Sequence, residues 1–192
     1  MPKVRAFIAF DLSSGSQSNV SRLLETLQND PHGGQVKWMV PDLMHITLHF
    51  LGQIPSRDVV PLCRLLDNVG KKIPPFRVML KGLGGFPNNR RPKILWAGMT
   101  EGAEPLEKLH DALATRLEEM GEYRRESRGY TPHLTLGRLN KEADQDYWST
   151  IIQKYEKWDG GYSHVSEILL YQSELRHDGP QYSIIGRADL RG

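Results

Sequence analysis

His45-Ile46-Thr47-Leu48-His49-Phe50-Leu51-Gly52 and Pro132-His133-Leu134-Thr135-Leu136-Gly137-Arg138 are two versions of one stretch, sharing the pattern His-x-Thr-Leu. Each sits in a short run of alternating apolar residues, which predicts β-strands over Met44 to Leu51 and Pro132 to Leu139. Successive side chains of a strand point to opposite faces, so His and Thr project together while the aliphatic residues beside them enter a core. Two such strands facing each other would set a matched acid and base around one bound group. His49 shares the alternation with His45 and Thr47, which raises the thought of a metal cluster. The second copy has Gly137 at that place, and no carboxylate or cysteine lies nearby at ligand spacing, so His49 is read as outside the site.

Outward from these runs, the chain alternates strands and helices. A strand is expected over Val4 to Leu12, and a helix over Ser16 to Gln28 with Val20, Leu23, Leu24 and Leu27 on one face. A short strand at Val36 to Val40 precedes the first motif. Ser56 is the expected N-cap of a helix to Val69. Strands follow at Phe76 to Leu83 and Ile94 to Met99, separated by a turn that begins in the glycines Gly82 to Gly85. A helix carries Leu106, Leu109, Leu113, Leu117 and Met120, with Pro105 in its first turn. Beyond the second motif come a helix near Ala143 to Tyr155 and strands at His164 to Tyr171 and Gln181 to Ile185. The motifs stand 88 residues apart, close to half the chain, and the elements around them repeat coarsely. Several strands follow one another through short loops, which favours α+β architecture with antiparallel sheets over a doubly wound parallel sheet.

The 192 residues suffice for one well-buried domain or two small lobes sharing a core. A net charge of +2 tolerates a polyanionic ligand without demanding one. The single cysteine, Cys63, excludes an internal disulfide and any multi-cysteine metal site; its apolar helical setting reads as a buried structural thiol. No apolar run approaches the roughly 20 residues of a membrane span. The N-terminus has no signal-peptide pattern, so the expectation is a soluble cytoplasmic protein.

Histidine is the side chain whose ordinary pKa lies near neutrality, so a pair can supply base and acid at one pH. That suits a reaction which activates a nucleophile on one side of phosphorus and protonates a leaving oxygen on the other, without a metal or other cofactor. Thr47 and Thr135 can donate to non-bridging phosphoryl oxygens, where charge accumulates. Arg138, just past the second motif, offers the forked donors that fit phosphate. Trp38, Phe50 and Tyr130 flank the motifs and could stack on a base, although core packing is the stronger reading. Arg90, Arg91, Lys93, Arg124, Arg125 and Arg128 could line an RNA groove or form solvated loops. His32, His110, His164 and His177 have no such context.

The paired His-x-Thr-x motifs resemble those of the two-histidine (2H) phosphoesterase superfamily, and within it the RNA 2′,3′-cyclic phosphodiesterases, also called 2′-5′ RNA ligases. Arg5 to Leu12 is similar to that family's opening strand, and Phe86 to Trp96 and Leu170 to Tyr182 resemble its other recurrent segments. The resemblance implies a single bilobal domain over residues 1–192, with two pseudo-symmetric antiparallel sheets flanked by helices around a central cleft. It implies hydrolysis of a terminal RNA 2′,3′-cyclic phosphate, or of a cyclic nucleotide, to a 2′-phosphate, by a monomer with no cofactor. By family pattern His45 is the proton donor and His133 the proton acceptor, while Thr47, Thr135 and Arg138 bind the phosphate. Two alternatives stand beside it: 2′-5′ ligation of cyclic-phosphate and 5′-hydroxyl ends, and an RNA- or nucleotide-binding module without turnover.

Overall fold

The computed structural model describes residues 2–121, 123, 129–177 and 179–192. Among the described residues, nine strands and four helices run in the order β1 (Lys3–Asp11), α1 (Ser14–Gln28), β2 (Val36–Trp38), β3 (His45–Pro55), α2 (Val59–Gly70), β4 (Phe76–Phe86), β5 (Ile94–Glu101), α3 (Ala103–Glu119), β6 (His133–Leu139), α4 (Gln145–Lys154), β7 (Asp159–Val165), β8 (Glu167–Arg176) and β9 (Gly179–Asp189). They form a four-stranded sheet, β3-β1-β8-β9, and a five-stranded sheet, β2-β6-β5-β4-β7. Every strand pairing is antiparallel. The expected α+β class with two antiparallel sheets is what the chain adopts.

The duplication is visible in the pairing. β3 lies beside β1 and is followed by α2; β6 lies beside β5 and is followed by α4. In each half a helix, α1 or α3, separates the motif strand from its partner in sequence. The halves differ at the outer side of the motif strand. β3 is the edge of its sheet, whereas β6 is covered by β2.

Helical periodicity places the apolar faces where the sequence predicts. In α1, Val20, Leu23, Leu24 and Leu27 are buried, and in α3, Leu106, Leu109, Leu113 and Leu117. These meet Ile8, Phe10, Ile46 and Leu48 of one sheet and Leu95, Leu134 and Leu136 of the other in a continuous core. Each fully buried Leu or Ile contributes about 1.5–3 kcal/mol by leaving water. A second, smaller cluster of Phe7, Ala9, Leu169 and Tyr171 lies on the opposite face of the four-stranded sheet, with Tyr182 packed against it.

Three expectations need correction. The glycines of Gly82 to Gly85 are not a turn but part of β4, because close packing requires them there. A Cβ on Gly84 would run into the Trp96 ring, and one on Gly85 would meet Pro92 and Ile152. The helix after the first motif starts later than Ser56: residues Ser56–Asp58 form a single 3₁₀ turn before α2. The run His164 to Tyr171 is split between β7 and β8, with the break at Ser166.

Candidate active site

The structure places all five sequence-selected residues on the two motif strands: His45 and Thr47 on β3, His133, Thr135 and Arg138 on β6. In both motifs the His and Thr are half-buried and the residues between and after them are buried, as alternation requires. The two strands abut, and Tyr130, three residues before His133, donates its hydroxyl to the Thr47 carbonyl at 3.2 Å.

Alternation then breaks at the same point in each strand. On β3, Thr47 pairs with Ala9 and His49 with Ile8, leaving Leu48 as an extra residue. On β6, Thr135 pairs with Trp96 and Gly137 with Leu95, leaving Leu136 extra. Each leucine of His-x-Thr-Leu is therefore a β-bulge, a device that re-aims the side chains beyond it. Its consequence is direct. His49 faces the helical side, where its Nε2–H donates to the His110 carbonyl at 2.9 Å and its ring stacks on His110 with centroids 4.2 Å apart. Phe50 and Arg138, five residues past their histidines, instead share the face of the motif His and Thr, paired with Phe7 and Ile94.

Both imidazoles are held alike. His45 Nδ1 lies 2.9 Å from the Leu43 carbonyl, and His133 Nδ1 lies 2.7 Å from the Thr131 carbonyl, in each case two residues upstream. A carbonyl only accepts, so Nδ1 carries the proton in both rings and Nε2 is the nitrogen left to act. The surroundings differ. Phe7 stacks on His45 at 4.5 Å, and Tyr171 and Tyr182 stand 5.7 and 5.3 Å away. His133 meets Phe86 edge-on at 4.9 Å and Trp96 at 6.3 Å.

Asp11 is paired across the sheet with His45 and accepts the Tyr171 hydroxyl at 2.7 Å. Burial pushes the His45 imidazole below its ordinary range, opposed by the Leu43 carbonyl and by the Asp11 charge. Burial, together with the hydrogen bond to Asp11, raises the Tyr171 hydroxyl, which stays protonated and keeps donating. A pocket of about 400 Å³ opens beside His45, lined by Asp11, Gln17, Asp42, Tyr171 and Tyr182 among others.

Phe7, Asp11, Tyr171 and Tyr182 were not singled out as site residues in the sequence, yet they wall His45. The usable signal was the spacing of Phe7, Ala9 and Asp11, which puts all three on one face of β1. Of the three flanking aromatics, Trp38 is engaged by a bond from its indole N–H to the Gly33 carbonyl and by an edge contact with Trp148. Tyr130 stacks on His110 with centroids 4.0 Å apart. Phe50 alone of the three is exposed. Of the basic candidates, Arg90, Arg91 and Lys93 are exposed, while Arg124, Arg125 and Arg128 lie outside the described residues. Among the described residues no group of three or more His, Cys, Asp or Glu side chains is arranged to hold a metal ion, and no helix is long and apolar enough to cross a membrane.

The family model of the 2′-5′ RNA ligase superfamily matches residues 39–176, a span that includes both motifs. The chain is 33% identical over its whole length to an RNA 2′,3′-cyclic phosphodiesterase of Aquifex aeolicus, which it covers completely. It is 34% identical to one of Methanothermobacter thermautotrophicus, over 94% of this chain and 96% of the relative. Among solved structures, TT0787 of Thermus thermophilus superposes with a TM-score of 0.81 at 25% identity, covering 98% of each chain. LigT of E. coli, solved with 3′-AMP, superposes over both full lengths with a TM-score of 0.76 at 21% identity, a likeness of fold. By the family match and by these full-length relatives, the chain belongs to the 2′-5′ RNA ligase superfamily, the 2H phosphoesterases.

Proposed function

We propose that this protein is an RNA 2′,3′-cyclic phosphodiesterase, a single bilobal domain that hydrolyses a terminal cyclic phosphate to a 2′-phosphate with two histidines and no metal. The observation that carries this reading is the matched pair of imidazoles, each with Nδ1–H spent on a carbonyl and Nε2 left for proton transfer. His133, neutral, takes a proton from water on Nε2 as the water oxygen bonds to phosphorus. The bond from phosphorus to the 3′ oxygen breaks, and His45, as imidazolium, gives its Nε2 proton to that oxygen. The Thr47 and Thr135 hydroxyls donate to the non-bridging oxygens, and the Arg138 guanidinium balances their charge.

Burial by itself favours a neutral His45. An anionic phosphate beside the ring acts in the opposite sense, as Asp11 does, and so loads the proton that the donor role needs. The relatives named as RNA 2′,3′-cyclic phosphodiesterases support the same reaction class. The deciding experiment is product identification on an RNA ending in a 2′,3′-cyclic phosphate, with wild type, His45→Ala and His133→Ala. A 2′-phosphate end made by wild type and by neither variant is expected. A 3′-phosphate end, or full activity in either variant, refutes the proposal.

A further inference from the structure

We infer that Tyr171 is a positioning residue for the proton donor: its hydroxyl holds the Asp11 carboxylate beside His45 and so makes the two histidines inequivalent. The inference rests on the cyclic phosphodiesterase reading of the site. Asp11 lies directly across from His45 in the pairing of β1 with β3, and it is exposed, so burial does not fix its carboxylate. The Tyr171 hydroxyl, donating to that carboxylate at 2.7 Å, does. Tyr171 is itself buried and stacks on Phe7 with centroids 5.1 Å apart, and Phe7 stacks in turn on His45 at 4.5 Å. One side chain thus reaches the imidazole twice, through a ring that supports its face and through a hydroxyl that orients the charge alongside.

The other half of the molecule supplies the control. Strands β6, β5 and β4 repeat the arrangement of β3, β1 and β8. The place of Asp11 is taken by Gly98, which pairs with His133. The place of Tyr171 is taken by Phe86. Tyr171 pairs with Phe7, itself paired with Phe50, just as Phe86 pairs with Ile94, itself paired with Arg138. Phe86 meets the His133 ring but has no hydroxyl. A side chain is disfavoured at Gly98, because its Cβ would stand 3.0 Å from the Trp96 ring and 3.1 Å from the Lys81 carbonyl oxygen. Carboxylate and hydroxyl are therefore both present beside His45, and the corresponding places beside His133 carry neither. A fixed negative charge favours imidazolium over imidazole, the form from which a donor starts. Among the described residues, the other charged or titratable groups of this wall are Asp42 just before β3, Tyr182 of β9 with Arg5 of β1 acting on it, and Arg187 of β9 paired with Glu167 of β8 at 3.1 Å. Of the charges in this group, Asp11 is the one that acts on His45.

The test reads both imidazoles by NMR titration of the free protein, in wild type, Tyr171→Phe, Asp11→Asn and the double variant. Tyr171→Phe keeps the ring stack and removes only the donor. Asp11→Asn is expected to lower the His45 pKa by about 1, and Tyr171→Phe by part of that, with His133 unmoved in both. In the Asp11→Asn background, Tyr171→Phe is expected to add nothing. An unchanged or raised His45 pKa in Tyr171→Phe, the same fall in both backgrounds, or an equal movement of His133 overturns the inference. The titration needs no turnover, so it decides on Tyr171 even where the functional reading fails. Service to the donor is read in the pH profile of cyclic nucleotide hydrolysis, where Tyr171→Phe is expected to move the alkaline limb to lower pH; movement of the acidic limb instead overturns that part.

Discussion

The two His-x-Thr-Leu strands share a backbone device and differ in everything that surrounds it. Both pin Nδ1 to a carbonyl two residues upstream, and both bulge at the leucine. β6, however, is an interior strand, and the carbonyl of its bulged Leu136 accepts the Met39 N–H from the segment after β2. β3 is an edge, and beside its bulge the Thr47 carbonyl is met by the Tyr130 hydroxyl instead. His45 is walled by Phe7, Tyr171 and Tyr182 with Asp11 alongside; beyond Thr135 the other strand carries Arg138. The lesson is that identical motifs become inequivalent through neighbours contributed by other strands. On the proposed reading, a proton donor and a proton acceptor are made from the same tetrapeptide.

The largest expected effects come from removing the shared device. His45→Ala or His133→Ala is expected to lower kcat by about 10²–10⁴-fold, read in a cyclic nucleotide assay with the fold checked by thermal melting. Similar melting temperatures with lost activity would establish that both halves are needed. Next come Thr47→Val and Thr135→Val, each expected to lower kcat by up to about 10²–10³-fold, the scale of removing one oxyanion donor. A large loss on one side only would break the symmetry of the phosphate grip.

Tyr130→Phe probes the edge strand, since it keeps the stack on His110 and removes the bond to Thr47. A loss of about 0.5–1.5 kcal/mol in stability is expected, measurable by denaturant titration. The smallest change separates the histidines by role. Asp11 raises the His45 pKa, so Asp11→Asn lowers it. If His45 is the donor, activity requires its protonated form, and the alkaline limb of the pH profile moves to lower pH while the acidic limb stays. Movement of the acidic limb instead would assign His45 as the acceptor and invert the polarity of the pair.

Much of this was legible in the residues. Parity on a strand placed His and Thr together, and helical period placed the buried faces of α1 and α3. The comparison of His49 with Gly137 removed His49 from the site, although the physical reason, a bulge that turns it toward α3, depends on pairing with Ile8 and Ala9 and cannot be seen locally. Arg138 was selected for its chemistry and by resemblance, yet its odd spacing from His133 puts it on the wrong face of a regular strand. The glycines of β4 look like a turn because the groups they make room for, Trp96 at Gly84 and Pro92 and Ile152 at Gly85, come from later in the chain. The walls of His45 come from β1, β8 and β9, elements at opposite ends of the chain whose register is set only on folding.

The paired bulges have a consequence for variation at the level of insertions and deletions. Each leucine acts as a frameshift in strand parity: two positions are read in one phase, and the later one, Phe50 or Arg138, in the other. Loss of Leu136 returns β6 to regular alternation, and loss of Leu48 does the same for β3 as far as Phe50, with every later side chain on its present face. Loss of a residue from a regularly paired stretch of the same strand instead turns the remainder over. A period-two search of related chains misses the arginine beyond the second motif, whereas a search for His, Thr at +2 and a guanidinium at +5 finds it.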